Sequence, residues 1–356
     1  MITLSLCMIV KNEESTLENC LSSSHTLFDE IIIVDTGSLD KTKEIAKKYT
    51  SKIYDFKWED DFSKARNFSF SKATKDYIMW LDADDIILEE DLKKLIDLKQ
   101  NLTPDIDMVM LKYNMGNSKN SLSYYRERIF KRENNYLWVS PIHEVIIPTD
   151  NVIYIDNIAI THNKLHSKDS KRNLRIFEKM KKDNVVFDAR QTFYFARELS
   201  YAKRYDEAIL EYTNFLSKED AWIENVISAY IDLHYIYLEK EDIPKAMSYL
   251  FKTFEYDMPR AEVCCHIASI FIQKGNYKIA IYWYKEALKC KYDISSGGFF
   301  NKDYYDFIPY IQLCVCYYNI GDISKAIHYN KKAGKIKPDN SAYLNNVKLF
   351  KSLEKS

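Results

Sequence analysis

Glycine and proline are scarce, seven of each in 356 residues, which argues against flexible linkers, low-complexity tracts and disorder. No charge of either sign dominates. The 51 Lys and Arg against 52 Asp and Glu leave a net charge of −1, so there is no electrostatic case for nucleic acid or an anionic membrane surface as partner. No apolar run approaches the roughly 18 residues that a membrane-spanning helix needs. The seven cysteines, at 7, 20, 264, 265, 290, 314 and 316, include no C-x-x-C pair and no zinc spacing. Most lie in apolar runs, where reduced core thiols are expected. The G-x-G-x-x-G fingerprint of dinucleotide sites is also missing, which speaks against such a cofactor. Residues 1–10 are apolar but have no basic lead and no small-residue cleavage site, and Lys-Asn-Glu-Glu follows at once. A first strand is expected there, not a signal peptide, and with it a cytoplasmic location.

What is present describes an ordinary soluble chain, 46% hydrophobic and 29% charged, long enough for two domains with their own cores. Its centre of interest is residues 77–85, Tyr-Ile-Met-Trp-Leu-Asp-Ala-Asp-Asp. An apolar run of strand length stops on three carboxylates. Such a run reads as a buried parallel strand, and carboxylates at its carboxyl end sit where open α/β sheets bind ligands. Asp82 and Asp84 can converge on one hard cation, which prefers oxygen ligands; an acidic turn capping the helix expected at 88–98 is the plainer alternative. Residues 4–10, 30–34 and 53–56 read as further strands, and 14–24, 40–49 and 63–73 as helices. That alternation predicts a parallel sheet with crossover helices. Shorter strands are expected at 108–113, 124–130, 145–148 and 151–160, a mixed and partly antiparallel half of the same domain.

From about residue 170 the pattern is helical and repeats. Four short turns each lead into an amphipathic helix with a key alanine, Ala208, Ala246, Ala280 and Ala326. The tetratricopeptide period is about 34 residues, and the Ala246-to-Ala280 step matches it. Ala268, Phe271, Tyr284 and Ala287 complete the third unit, and Ala333 and Pro338 belong to the fourth. Extra length before the fourth unit, residues 295–309 with Gly297-Gly298-Phe299-Phe300, is expected as a loop. The fold class is thus an α/β N-terminal domain followed by an all-α array: 1–165, a helical linker at 166–188, and repeats at 189–356.

Four successive blocks, LSLCMIVKNEE (4–14), IIIVDTGSLDKT (31–42), WEDDFSKARN (58–67) and MWLDADD (79–85), resemble those of family-2 glycosyltransferases of the GT-A fold. Later pieces, Arg128-Ile129-Phe130-Lys131, Trp138, His143-Glu144, His162 and Lys171-Arg172-Asn173, resemble the subgroup joined to tetratricopeptide repeats. That subgroup is similar to bacterial peptide S- or O-glycosyltransferases, flagellin glycosyltransferases and core-oligosaccharide glucosyltransferases. The resemblance implies a UDP-sugar donor and a divalent cation, Mn2+ or Mg2+, with Asp84 as direct ligand, His162 on the metal or the diphosphate, and Asp82 on the ribose or on the metal through water. It places Val10, Lys11, Asn12 and Glu13 around the nucleoside, with Asp35 on the base or ribose. Arg66, Asn67, Asp82 and Ala83 fall near the diphosphate or donor sugar, and Arg128 with Arg126 neutralises phosphate or supports the acceptor site. An inverting transfer needs a base for the acceptor's proton; Glu144 is the candidate, with His143 as orienter or alternative. Many family-2 enzymes carry that base on a Glu-Asp pair, and here Glu59-Asp60-Asp61 comes too early in the order.

The expected function is metal-dependent inverting transfer of glucose or N-acetylglucosamine from a UDP-sugar to Ser, Thr or Cys of a polypeptide. The repeats would guide the acceptor, and an open helical array often self-associates. Transfer to a saccharide or lipid-linked core is the alternative, and a non-catalytic tetratricopeptide scaffold is a third reading.

Overall fold

The structure, a computed structural model, describes residues 1–115, 122–148, 151–163, 171–292, 297–298 and 301–353. It divides into two compact units, Met1–Val186 and Phe187–Ser356.

In the first unit β1 (Leu4–Val10), β2 (Glu30–Asp35), β3 (Ile53–Asp55) and β4 (Tyr77–Trp80) run parallel in the order β3-β2-β1-β4. The crossovers carry α1 (Leu17–Ser24), α2 (Thr42–Ala46) and α3 (Phe62–Phe70). Every residue of β2 and β4 is buried, which is why their sequences are continuous apolar runs. Alternate side chains still part to opposite faces. Leu6, Met8, Ile33 and Met79 join one core cluster, whereas Cys7, Ile32, Val34 and Trp80 join the other. Burial of each such side chain is worth about 1.5–3 kcal/mol, enough to fix the register of the sheet.

A two-residue strand β5 (Asp85–Ile86) and the helix α4 (Glu89–Asn101) lead to β6 (Met108–Met115), β7 (Leu122–Lys131) and β8 (Val152–His162). They extend the sheet to eight strands as β4-β7-β6-β8-β5. β7 is antiparallel to both β4 and β6, and β8 is parallel to β6. The carboxyl ends of β1, β2, β4, β6 and β8 therefore meet at one rim, while β7 starts there. Residues 145–148, expected as a strand, form none; Val139 and Val145 exchange a single pair of backbone bonds that pinches off a loop. The helix α5 (Arg172–Lys182) falls within the first unit, in the region read as a linker.

The second unit is a series of antiparallel helix pairs: α6 (Ala189–Tyr201) with α7 (Tyr205–Leu216), α8 (Ile223–Glu239) with α9 (Ile243–Lys252), α10 (Ala261–Gln273) with α11 (Tyr277–Ala287), and α12 (Phe307–Asn319) with α13 (Ile323–Ile336). A last helix, α14 (Ser341–Leu353), follows. Ala208, Ala246, Ala280 and Ala326 are all fully buried, because only a methyl group fits where the two helices of a pair cross. The turn before each is reversed by a residue of positive φ five positions earlier: Lys203, Glu241, Gly275 and Gly321. Two of the four lack the glycine that this conformation favours. The insertion expected as a loop at 295–309 lies partly outside the described residues; Lys302–Tyr305 forms a 3-10 turn and α12 starts at Phe307.

Candidate active site

Loops after β1, β2 and β4 rise from the rim and are cross-tied. Asn12, at φ 54°, takes the left-handed conformation that Asn tolerates better than most residues. Its amide N–H donates to Ser38 Oγ at 2.9 Å, and its Oδ1 accepts from Leu39 N–H at 2.8 Å. Glu13 N–H donates to Thr42 Oγ1 at 2.7 Å. Asp35, almost fully buried at the end of β2, accepts from Gly37 and Ser38 N–H through Oδ1, both 2.9 Å. Its other oxygen, Oδ2, is buried and has no hydrogen-bond partner among the described residues.

Beyond β4 the chain turns through Asp82-Ala83-Asp84-Asp85. The turn is closed by Asp85 N–H donating to Asp82 O and Asp82 N–H donating to Asp85 Oδ2, each 3.0 Å. The short β5 then pairs Asp85 opposite His162. This brings His162 Nδ1 to 3.5 Å from both Asp84 Oδ1 and Asp85 Oδ1. The bond to Asp85 raises the His162 pKa above its ordinary value, burial opposes that, and the charge of Asp84 adds to the rise.

The helix α3 clamps the loop of residues 139–145. Asp61 caps it by accepting from Lys64 N–H at 3.0 Å. The first residue of the helix, Phe62, donates its N–H to Pro141 O at 2.8 Å. Asn67 holds both backbone groups of Trp138, donating to its carbonyl at 3.0 Å and accepting from its N–H at 2.8 Å. Arg66 lies between these contacts. Its Nε donates to Glu144 Oε1 at 2.7 Å and its Nη2 to Asp82 Oδ1 at 2.9 Å. The guanidinium stacks over Trp80 at 4.5 Å and Trp138 at 4.9 Å. Burial works against its charge, but Asp82 and Glu144 more than compensate and keep it protonated. In the clamped loop Ser140 and His143 take positive φ, 75° and 52°, strained values for such residues.

These parts enclose a cavity of about 570 Å³. Of the residues expected to bind donor or act in transfer, Val10, Lys11, Asn12, Glu13, Arg66, Asp82, Ala83, Asp84, His143 and Glu144 line it. Asp35, Asn67, Arg128 and His162 do not. Asn67 faces the Trp138 backbone. Arg128 is fully buried and bonded to Asp85 and to Trp80 O, so the reading of it as a residue that meets phosphate or supports the acceptor is corrected: it does not reach the cavity. His162 stands behind Asp84. Glu144 Oε1 is already engaged by Arg66, a contact that the reading of Glu144 as base did not anticipate.

Sequence reasoning passed over Asp85 and Tyr113. Asp85 was visible as the third carboxylate but had no role, and Tyr113 was only the end of an apolar strand. Its OH donates to Asp85 Oδ1 at 2.7 Å and lies 3.0 Å from His162 Nδ1. Trp58, Tyr124 and Arg172 also line the cavity.

Asp84, Asp85 and His162 offer ligand atoms within 4.8 Å of one another. Carboxylate oxygens with one imidazole suit Mg2+ or Mn2+. Both Asp85 oxygens already accept hydrogen bonds, and Asp82 Oδ1 accepts one from Arg66.

Residues 5–150 match the family model described as glycosyl transferase family 2. A TPR repeat-containing protein of Synechococcus elongatus is 34% identical over 147 residues, 41% of this chain and 36% of that protein. The SPbeta prophage-derived glycosyltransferase SunS of Bacillus subtilis is 28% identical over 220 residues, 58% of this chain and 51% of its own length. The chain thus spans about a third to a half of these relatives. Among solved structures, S. aureus TarS 1-349 in complex with UDP-GlcNAc is similar with a TM-score of 0.39 at 15% identity, over 68% of this chain and 89% of that one. The N-terminal part of the chain thus matches the family-2 glycosyltransferase model, and a series of helix pairs follows it. No helix among the described residues is long and apolar enough to cross a membrane.

Proposed function

We propose that this protein is a metal-dependent inverting glycosyltransferase that moves glucose or N-acetylglucosamine from a UDP-sugar to Ser, Thr or Cys of a polypeptide. The observation that carries this reading is the convergence of Asp82, Asp84, Arg66 and Glu144 on one cavity in a domain matching family 2. Each group has work to do there. The Val10–Glu13 stretch, which lines the cavity, receives the nucleoside, with Asp35 opposite Val10 at the adjacent end of β2. Asp84 and His162 hold Mg2+ or Mn2+, which when bound neutralises charge on the departing diphosphate. Arg66 and Arg126, both at the cavity wall, add positive charge for the phosphates. Glu144, across Arg66 from Asp82, takes the proton of the acceptor nucleophile as the sugar carbon becomes cationic. A donor phosphate that draws Arg66 away from Glu144 would free Oε1 for that proton. The helical repeats present the acceptor polypeptide.

The test is intact-mass analysis of candidate peptides incubated with the protein, Mn2+ and a panel of UDP-sugars. One hexose or one N-acetylhexosamine added per peptide, with UDP released, is the expected result. UDP release that requires a saccharide and leaves every peptide unmodified would reject the polypeptide acceptor. No UDP release from any donor would reject the enzyme reading.

A further inference from the structure

Two separately built sets of residues line the cavity. Val10–Glu13 and Thr36 come from the loops after β1 and β2, which are tied to each other. Trp58, Phe62, Ile142 and His143 come from the approach to α3 and from the clamped loop, joined by the bond from Phe62 N–H to Pro141 O at 2.8 Å. Arg66 links the carboxylate turn to this second set, through Asp82 on one side and Glu144 on the other. Trp58 is fixed by something other than core packing. It and Phe62 are half-buried and belong to neither cluster that flanks the sheet, and their rings meet edge to face at 4.7 Å. Trp58 Nε1 donates to Asp60 Oδ1 at 3.0 Å, and Asp60 Oδ2 accepts from Lys179 Nζ of α5 at 2.8 Å. Asp60 itself sits at φ 60°, a left-handed value that few residues adopt without cost. The one polar atom of the indole is thereby turned to Asp60, so Trp58 and Phe62 give the cavity ring surface and no hydrogen bond.

We infer that Trp58 and Phe62 are specificity-determining residues that seat an apolar side chain of the acceptor next to its nucleophile. This rests on the reading of the protein as a polypeptide glycosyltransferase with Glu144 as base. Glu144 Oε1 is bonded to Arg66 at 2.7 Å, and Arg66 leads to Asp82 and the turn where the donor diphosphate lies on that reading. A hydroxyl or thiol that reaches Glu144 without displacing the donor comes from the other side, past the clamped loop and the start of α3 to which that loop is bonded. Neighbouring Cα atoms of a polypeptide are about 3.8 Å apart, so the side chain flanking the nucleophile falls within reach of the rings that line the same cavity. An apolar flank gains from burial against them. A polar flank loses hydration there, because Phe62 has no polar atom and the Trp58 N–H is already used. A lysine or arginine flank also meets the Arg172 guanidinium, which lies 4.7 Å over Phe62.

The experiment sets wild type, Trp58→Ala and Trp58→Phe against the peptides Gly-Gly-Xaa-Ser-Xaa-Gly-Gly and their Thr and Cys counterparts, with Xaa as Leu, Phe, Gly, Asp or Lys. UDP-glucose, UDP-N-acetylglucosamine and Mn2+ are supplied, and kcat/KM for each peptide is read from the mass-resolved product. The ratio between two peptides does not depend on how much of a variant is folded. Wild type should favour Leu or Phe over Gly by at least about tenfold, with Lys the poorest flank and the difference carried by the peptide KM. Trp58→Ala should bring the Leu-over-Gly ratio below about threefold, and Trp58→Phe, which keeps a ring, should retain most of it. Equal kcat/KM for the Leu, Gly and Asp peptides in wild type, a preference for Asp, or a Leu preference that survives Trp58→Ala would overturn the apolar subsite and leave peptide glycosylation standing. A donor KM that rises in Trp58→Ala while the peptide ratio holds would do the same. Transfer to none of the peptides would overturn the subsite together with the polypeptide reading.

Discussion

Replacing Asn67 with alanine separates a residue that holds the active-site loop from one that touches the donor. The side chain makes two bonds to the Trp138 backbone, one donated at 3.0 Å and one accepted at 2.8 Å. Alanine leaves the N–H and C=O of a residue whose side chain is 2% exposed without their partner. Each such group costs about 1–2 kcal/mol in a partly buried setting, so the loss is about 2–4 kcal/mol. The unit that contains it runs from Met1 to Val186, a size at which each kcal/mol lowers the melting temperature by about 2–4 °C. A fall of roughly 5–15 °C in the transition of that unit is therefore expected by calorimetry. Trp138 begins the loop that carries Glu144, and an error of about 1 Å in a reacting group can cost 10²-fold in rate. The steady-state prediction is thus a kcat lowered about 10- to 100-fold with the donor KM little changed. Asn67→Asp, which keeps the acceptor but sets a carboxylate oxygen against the Trp138 carbonyl, should be at least as damaging. A donor KM that rises while melting temperature and kcat hold would refute the loop-clamp argument. It would return Asn67 to the donor-binding role that the family resemblance implies.

Three further outcomes follow from the same geometry. Glu144→Gln should retain UDP binding by calorimetry but lose transfer by at least 10²-fold; undiminished turnover would move the base elsewhere. Burial pushes the Glu30 carboxyl up, but hydrogen bonds from Lys52, Ser5 and Thr74 prevail and hold it at about 2. Its side chain is 2% exposed. A folded value below the unfolded one near 4.3 gives stability that is present above that pH and lost as pH falls toward 2. Glu30→Gln should therefore cost about 2–3 kcal/mol in urea unfolding at neutral pH, the gap from wild type closing below about pH 4; a gap that stays constant with pH contradicts this. Glu241 holds φ 58° at the turn between α8 and α9. Glu241→Gly should leave stability unchanged or raise it by up to about 1 kcal/mol, because relief of the left-handed strain offsets the added chain entropy; a loss above about 1 kcal/mol would mean that the Glu241 side chain does something the backbone argument omits.

The extent to which the sequence disclosed this arrangement varied with how local the cause was. Strands β1, β2 and β4 were legible because burial on both faces demands continuous apolar runs. The repeats were legible because Ala208, Ala246, Ala280 and Ala326 answer to one steric requirement at helix crossings. Asp82 and Asp84 were legible as carboxylates closing a strand. Residues 145–148 look like a strand by composition, but the stretch is short and, among the described residues, Val145 pairs with Val139 in a single bridge, so no ladder forms. The burial of Arg128 was not legible. Alternation along β7 places it with Arg126 on the cavity side, and only the bulge opposite Val109 and Met110 turns it inward. Tyr113 and Asp85 are 28 residues apart, and nothing local in either announces the other. Asn67 and Trp138, 71 apart, are the same case: a long-range bond between ordinary residues leaves no pattern in the chain.

Calorimetric binding of UDP with and without Mn2+, for wild type and for Asp84→Asn, tests the central claim most directly. The account predicts that Mn2+ strengthens UDP binding at least tenfold in wild type and that chelation reverses the gain. In Asp84→Asn the gain disappears while the melting temperature holds. UDP affinity indifferent to Mn2+, or a metal effect that survives Asp84→Asn intact, would contradict it.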